Sequence, residues 1–183
     1  ESPASKVRPD LVILATVARA IACKRPLRMR YLSVSSGAKT RDIVPVALAD
    51  SGLRWHVRAF DRLNDRFSDF VLRRIQSAEI LDPLSSEHER LAADEQWTRI
   101  VNMDLVPHPD AEWPEGIEVD FDMRDGCLKM RTRAALAGYV LQRWSVDCSE
   151  SHSLNPKQHQ LWLRNPQTLY GVDSAKLAPG YGD

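Results

Sequence analysis

No Cys-x-x-Cys pair occurs in this chain of 183 residues, and its three cysteines, Cys23, Cys127 and Cys148, stand far apart. An odd, scattered set argues against a disulfide framework or a zinc site, so a reducing cytoplasm is the expected compartment. No apolar run approaches the roughly 18 residues that a membrane-spanning helix needs. The apolar stretch 11–23 is too short and is interrupted by Arg19. The opening Glu1-Ser2-Pro3-Ala4 has no basic flank ahead of an apolar stretch, unlike a signal peptide. Residue 1 is not Met, so a fragment of a longer chain is expected. Neither a Gly-x-Gly-x-x-Gly sequence nor a Gly-rich, Lys-Ser/Thr phosphate loop is found, and there is no internal repeat or low-complexity block.

The formal charge of zero conceals an asymmetry. Residues 1–80 carry 15 basic and 8 acidic side chains, whereas 81–183 carry 10 basic and 17 acidic. Such a split suggests two modules, the first favouring an anionic partner, although two halves that attract one another would look the same.

Residues 9–22 read as a helix, with Leu11, Leu14, Ala15, Ala18 and Ile21 or Ala22 on one face and Pro9 suited to the first turn. Four strand-like runs follow, at 27–35, 41–48, 53–60 and 67–81. Pro45 marks an edge or a bulge in the second. In the third, Leu53, Trp55, Val57 and Ala59 alternate with Arg54, His56, Arg58 and Phe60. Short strands joined by polar turns predict a small barrel or curled sheet. Ser86 and Glu89 fit a capping box, which predicts a helical connection near 87–94. Residues 97–106 read as a fifth strand with Val101, Met103 and Leu105 on one face, a helix being the alternative. The prolines of 107–114 form a linker. Asp125-Gly126 predicts a hairpin turn. Pairing outward from it sets Asp122 against Lys129, Asp120 against Arg131 and Glu118 against Arg133. A helix over 134–144, a late strand over 160–163 and an irregular tail from Asn165 complete the reading.

The chemistry-bearing residues concentrate in the first module. Arg54, His56 and Arg58 lie along one strand face, and Arg73 and Arg74 follow the apolar run Phe70-Val71-Leu72. Arginine forks an anionic oxygen pair, while Tyr31 and Ser33 on a neighbouring strand supply directional hydrogen bonds. A solvated strand face is the plain alternative for Arg54, Arg58 and Arg73. For Arg74 the rival is an ion pair with Asp69 or Asp42. Ser33 with His56 lacks a third group or an oxyanion hole, so hydrolysis is not expected. His152 and His159 lack metal-site spacing, and His108 between prolines reads as structural or idle.

Leu27-x-x-x-Tyr31-x-Ser33, Arg41-x-x-x-Pro45, Trp55 with Ala59, and Phe70-x-Leu72-x-Arg74-Ile75 together resemble a WYL domain. That family implies an SH3-like or Sm-like small barrel of bacterial transcription regulators. Its signature Trp-Tyr-Leu is here Trp55-His56-Val57, which offers His56 in place of the tyrosine. Further on come Val106-Pro107-His108-Pro109, Ile117-x-x-Asp120-Phe121-x-Met123-x-x-Gly126 and Arg133-x-Ala135-Leu136-x-x-Tyr139. These are similar to regulators encoded beside bacterial anti-phage defence operons. In them a winged helix-turn-helix precedes the WYL domain and a C-terminal extension (WCX) mediates dimerisation.

The fold class expected is therefore α+β: a connecting helix (1–25), a five-stranded small barrel (26–106) and a C-terminal α+β extension (107–183). The expected function is ligand sensing and dimerisation within a repressor, with no catalytic residues, metal or cofactor. Tyr31, Ser33, Arg41, His56, Arg58, Arg73 and Arg74 form the candidate ligand site. The expected partners are a second copy of the chain and an anionic ligand, either a nucleotide or single-stranded nucleic acid. Duplex DNA would be contacted only through a winged helix not present here, and no membrane is involved. The rival is a constitutive interaction module whose arginines are merely solvated.

Overall fold

The computed structural model describes residues 9–82 and 84–182. The chain divides into two compact units, one ending at Asp94 and the next beginning at Glu95.

The first unit opens with α1 (Leu11–Cys23). The Asp10 carboxylate starts it by accepting the N–H groups of Val12 and Ile13, at 2.8 and 3.2 Å. Lys24, in the left-handed region, ends it. The helix stands where expected, but its buried face centres on Ile13, Val17 and Ala20; Leu14 and Ile21 of the expected stripe pack beside them, while Leu11 and Val12 stay exposed. Burying Ile and Val removes more apolar area from water than burying the alanines of the expected stripe.

Five strands follow: β1 (Leu27–Ser33), β2 (Gly37–Asp50), β3 (Trp55–Asp61), β4 (Arg66–Val71) and β5 (Ile75–Ile80). All neighbours are antiparallel, in the order β4-β3-β2-β1-β5. The expected bulge lies between Pro45 and Ala47, within a central strand. The single run expected over 67–81 is two strands, broken by a 3-10 turn at Leu72–Arg74. That turn joins the two edges of the sheet. Across a flat sheet those edges would stand about 19 Å apart, at roughly 4.8 Å per strand. A 3-10 turn advances only about 2 Å per residue, so the sheet must curl. Its inner face and α1 enclose Leu27, Met29, Ile43, Val57, Ala59, Phe70, Leu72 and Ile75.

Beyond β5, the expected capping box is present. Ser86 N–H donates to Glu89 Oε2 at 2.8 Å, and 3-10 turns run over Glu87–Glu89 and Leu91–Ala93.

In the second unit, α2 (Glu95–Thr98) leads into β6 (Ile100–Pro107). This expected strand does not belong to the first sheet. It is the centre of a second one, between β7 (Leu128–Arg133) and β8 (Leu161–Leu163). The hairpin expected around Asp125-Gly126 is half correct. Asp125 and Gly126 both have positive φ, 52° and 68°, and Arg124 and Cys127 bridge across them. The upstream arm, however, is α3 (Pro114–Asp120), with Pro114 in its first turn. Glu118, Asp120 and Asp122 therefore do not face Arg133, Arg131 and Lys129 on an opposing strand. Cross-strand ion pairs are worth roughly 0.2–1 kcal/mol each. Pairing β7 with β6 instead sets Thr132, Met130 and Leu128 beside Val101, Met103 and Leu105. Burying one such apolar side chain gains about 1.5–3 kcal/mol.

The helix α4 (Ala134–Arg143) packs on a tail that is more ordered than expected. Two 3-10 turns, Pro166–Leu169 and Asp173–Leu177, carry Leu169 and Ala175 into the core beside Val172 and Ala178. The Ser174 hydroxyl accepts the Gly138 N–H at 3.0 Å and donates to Ala134 O at 2.7 Å, so the tail meets the α4 backbone directly. A Cβ on Gly138 would lie 1.7 Å from Ser174 O. Gly138→Ala, which in an open helix gains about 1 kcal/mol, should here destabilise the protein by roughly 2 kcal/mol or more through overpacking. Denaturant titration checks the sign.

Asp147 is a second anchor, fully buried. It accepts Ser149 N–H (2.8 Å), Ser149 Oγ–H (2.7 Å) and Leu154 N–H (3.0 Å), with His108 Nε2 at 3.2 Å. Burial pushes its carboxyl up, but these bonds outweigh burial and hold it below the usual carboxylate range. A depressed carboxylate contributes stability that is present above its unfolded pKa, about 3.9, and is lost as pH falls through the folded value. Melting temperature should therefore drop on acidification below about pH 4. Asp147→Asn should lower it already at pH 7 and flatten the acid limb.

Candidate functional site

The strand registers decide which candidates share a surface. Met29 pairs with Arg41 and Tyr31 with Lys39, and Ile43 of the same β2 row pairs with Asp61. Tyr31, Arg41, Val57 and Phe70 thus point to the inner side of the curled sheet. His56, Arg58 and Phe60 alternate to the outer side. The expected single face is therefore two, and Ser33, which continues the Tyr31 row, is not brought to His56.

On the inner side, Tyr31 is buried, and its ring meets Phe70 edge-on at 5.2 Å. Its Oη accepts the Val71 N–H at 3.2 Å, pinning the end of β4 just before the turn that carries Arg73 and Arg74. Arg41 pairs with buried Asp61 at 2.7 Å and lies 6.0 Å from the Phe70 ring centroid. Asp61 also accepts Asn64 Nδ2–H and Leu63 N–H. Ser33 Oγ lies 3.1 Å from Ser35 Oγ at the β1–β2 turn.

The outer side is covered by residues 85–94. Arg58, 5% exposed, forks Asp94 through Nε and Nη2 at 2.7 and 3.0 Å and reaches Asp69 at 3.3 Å. Burial lowers its pKa, but the two carboxylates outweigh this and raise it. Arg62 forks Glu89 at 2.6 and 2.9 Å, and His88 meets Phe60 edge-on at 5.5 Å. The sequence pattern left Asp94 and Arg62 unremarked and noted Glu89 only as part of the capping box. The capping box gave notice of a local turn, but nothing in it indicated that the turn would lie over β3.

His56 is 7% exposed at the end of this face. Burial lowers its pKa; Asp69 opposes this, the charges of Arg54 and Arg74 add to it, and Asp50 opposes it. His56 is therefore neutral at pH 7 and sits within electrostatic reach of two arginines. Arg73 is exposed and Arg74 half-buried on the 3-10 turn, next to Val71, which pairs with His56. Asp69 bonds to Arg58, and Asp42 forks Arg28 at 2.8 Å.

Elsewhere, His108, Asp147 and Ser149 have the residue types of a hydrolytic triad but not its geometry. Asp110 N–H donates to His108 Nδ1 at 3.2 Å, so Nε2 carries the hydrogen toward Asp147. The Ser149 hydroxyl points at Asp147, not at the imidazole, and accepts Ser153 N–H at 2.8 Å. All three are buried and structural. Burial, together with the charge of Asp147, pushes the Cys148 thiol up to about 12, which leaves it inert. Among the described residues no group of three His, Cys, Asp or Glu is placed to hold a metal, and no helix is long and apolar enough to cross a membrane.

The WYL domain model matches residues 12–80, and the model of the BrxR transcriptional regulator C-terminal dimerization domain matches 100–169. A curated relative from Escherichia coli (strain KTE188), the DNA-binding transcriptional repressor CapW, is 31% identical over 169 residues, covering 90% of this chain and 55% of its own length. CapW of Stenotrophomonas maltophilia is 33% identical over 167 residues, covering 86% of this chain and 52% of its own. The chain thus spans about half the length of these relatives. Among solved structures, proteasome accessory factor B/C of Arthrobacter aurescens aligns over 99% of this chain and 29% of its own, at 18% identity and a TM-score of 0.42. The chain thus consists of a WYL domain followed by a BrxR-type C-terminal dimerization domain, and over most of its length it is similar to the repressors named CapW.

Proposed function

We propose that this chain is the ligand-sensing and homodimerising part of a bacterial transcriptional repressor acting in the cytoplasm beside an anti-phage defence operon. The observation that carries the reading is the order of the two matched domains along a chain whose relatives are named DNA-binding repressors. The curled five-stranded sheet is read as the SH3- or Sm-like small barrel, because a 3-10 turn joins its edges. The domain limits 1–25, 26–106 and 107–183 are part of this proposal, although the compact units divide earlier, between Asp94 and Glu95. No catalytic role is assigned.

An anionic ligand, a nucleotide or single-stranded nucleic acid, would bind where Arg54, Arg73 and Arg74 meet the His56 end of β3. Arg73 and Arg74 would contact phosphate oxygens directly. Tyr31 would hold the turn that carries them, Arg41 would support Phe70 beneath it, Arg58 would fix the strand from its outer side, and Ser33 would orient the β1–β2 turn. Ligand binding would shift the dimer between two arrangements that differ in operator affinity. The internal pairing of Arg41 and Arg58 favours a second reading, a constitutive dimerisation module without ligand.

Two experiments test the proposal. Direct readout of duplex DNA needs an element shaped for the major groove, which would lie in a winged helix outside these residues. This chain should leave no footprint on a defined operator at physiological salt, and a clear footprint would refute the assignment of the reader elsewhere. In the second, a labelled short oligonucleotide is titrated into wild type, Arg74→Ala and His56→Gln across salt and pH. Each phosphate neutralised should steepen the log–log salt slope by roughly 0.7. Arg74→Ala should weaken binding by about 1–3 kcal/mol. His56 has a lowered pKa, so affinity should rise only as pH falls below about 6.5, and His56→Gln should abolish that rise. Identical curves for all three proteins would leave the module without ligand as the better account.

A further inference from the structure

Residues 85–94 lie over β3 without joining the sheet. They follow the outer row of that strand. Asp94 forks Arg58 at 2.7 and 3.0 Å, His88 meets the Phe60 ring edge-on, and Glu89 forks Arg62 at 2.6 and 2.9 Å. Arg62 continues the row just past the strand, its N–H donating to Asp42 O at 3.2 Å. The segment is held by charge more than by apolar burial. Its regular structure is two three-residue 3-10 turns. Leu91 is 38% exposed, and Leu84, just ahead of the segment, is 59% exposed. Among the described residues, none of 85–94 belongs to the hydrophobic core of the first unit. The upstream end is tied by Ser85, whose N–H and Oγ–H both donate to Lys24 O, at 3.0 and 2.9 Å. The downstream end, Asp94, is the last residue of the first unit.

We propose that residues 85–94 are a displaceable mask, in which Glu89 and Asp94 hold the places on Arg62 and Arg58 that phosphates of a single-stranded nucleic acid entering from the His56 end would take. The inference rests on the anion reading above and extends it along β3. A carboxylate forked by a guanidinium presents two anionic oxygens to parallel N–H donors, as a phosphate does. Exchanging one for the other leaves no charge stranded, because the freed carboxylate goes to water. Arg58 keeps its position during the exchange, since Asp69 on β4 holds it at 3.3 Å independently of the mask. The Arg62 pair is the weaker attachment, the Arg62 side chain being 36% exposed. The mask carries Glu87, Glu89 and Asp94 against Arg90, so it is acidic, as a stand-in for a polyanion must be. Arg54 and Arg62 are eight positions apart. That is about 26 Å along an extended chain, which a short nucleic-acid strand spans and a mononucleotide does not. Ligand length therefore decides whether the mask moves. Displacement also frees the stretch of chain that runs directly into the second unit at Glu95.

The test compares a mononucleotide with a single-stranded oligonucleotide of about twelve nucleotides, long enough to cover the row, on the full chain as wild type, Asp94→Asn, Glu89→Gln and Glu79→Gln. Amide hydrogen exchange reads the mask at Ala93 and Asp94, whose N–H groups donate to Arg90 O and Leu91 O at 2.9 and 3.1 Å. The oligonucleotide should lower protection there at least about fivefold, the lower end of ordinary coupling between sites, and leave β1 unchanged. The mononucleotide should change neither. Both mask variants should bind the oligonucleotide at least about fivefold more tightly than wild type, with mononucleotide affinity unaltered. Glu79→Gln, which removes an exposed charge from β5, should bind as wild type does. Should Asp94→Asn melt early, Glu89→Gln carries the test, because its partner Arg62 is already partly hydrated. If the oligonucleotide binds wild type but mask protection holds, or neither variant binds more tightly, the mask is a structural clip and the inference falls while the anion reading stands. Binding to the variants alone would support the inference, with the mask as the stronger competitor. Binding to none of the four proteins would overturn both readings.

Discussion

A three-residue turn holds the first unit in shape. Leu72–Arg74 joins the two edge strands of a five-stranded sheet, and so short a link requires the sheet to curl. Rolling gives the sheet an enclosed inner face, which α1 closes with Ile13, Val17 and Ala20. It also determines where positive charge is presented. Arg73 and Arg74 ride on the link itself, and the Tyr31 phenol oxygen, reached by the Val71 N–H, fixes the chain just ahead of them. The element that shapes the core is thus the element that carries the candidate anion contacts.

The outer side of the sheet follows a different principle. There the arginines work for the fold. Arg58 and Arg62 fork Asp94 and Glu89 and draw residues 85–94 over β3. Removing one member of the buried Arg58–Asp94 pair leaves a charge stranded, at a cost of about 3–5 kcal/mol, whereas the partly exposed Arg62 contributes less. These pairs also revise the charge asymmetry. Extending the first module to Asp94 adds Asp82, Glu87, Glu89 and Asp94 against Arg90, so its excess falls from +7 to +4. The anion contacts proposed for this module are accordingly local and start at the His56 end of β3.

The second unit is built from contacts between segments distant in sequence. The Ser174 hydroxyl lies against the α4 backbone at Gly138, and Asp147 collects donors from Ser149, Leu154 and His108. These give the tail from Asn165 a defined course although its sequence is rich in turn residues.

Local signals were legible in the sequence wherever one residue's geometry sufficed. Asp125-Gly126 makes its turn because both positions tolerate positive φ, Pro45 makes its bulge because it has no N–H to donate, and Ser86 with Glu89 makes its capping box. The alternation around Trp55 correctly separated two faces of β3, and the family resemblance identified the order of domains. What the sequence left open was the choice among partners. Residues 114–120 could form a strand by charge pairing, yet β7 pairs with β6 because apolar burial outweighs surface ion pairs. The α1 helix is rotated so that Ile13, Val17 and Ala20 lie at the centre of its buried face, and Arg58 found two carboxylates, one of them 36 residues away. Local geometry depends on a residue and its immediate neighbours, so it can be read along the chain. Pairing, burial and the occupation of a charge depend on which distant segments compete for the same surface, and only the folded chain settles that competition.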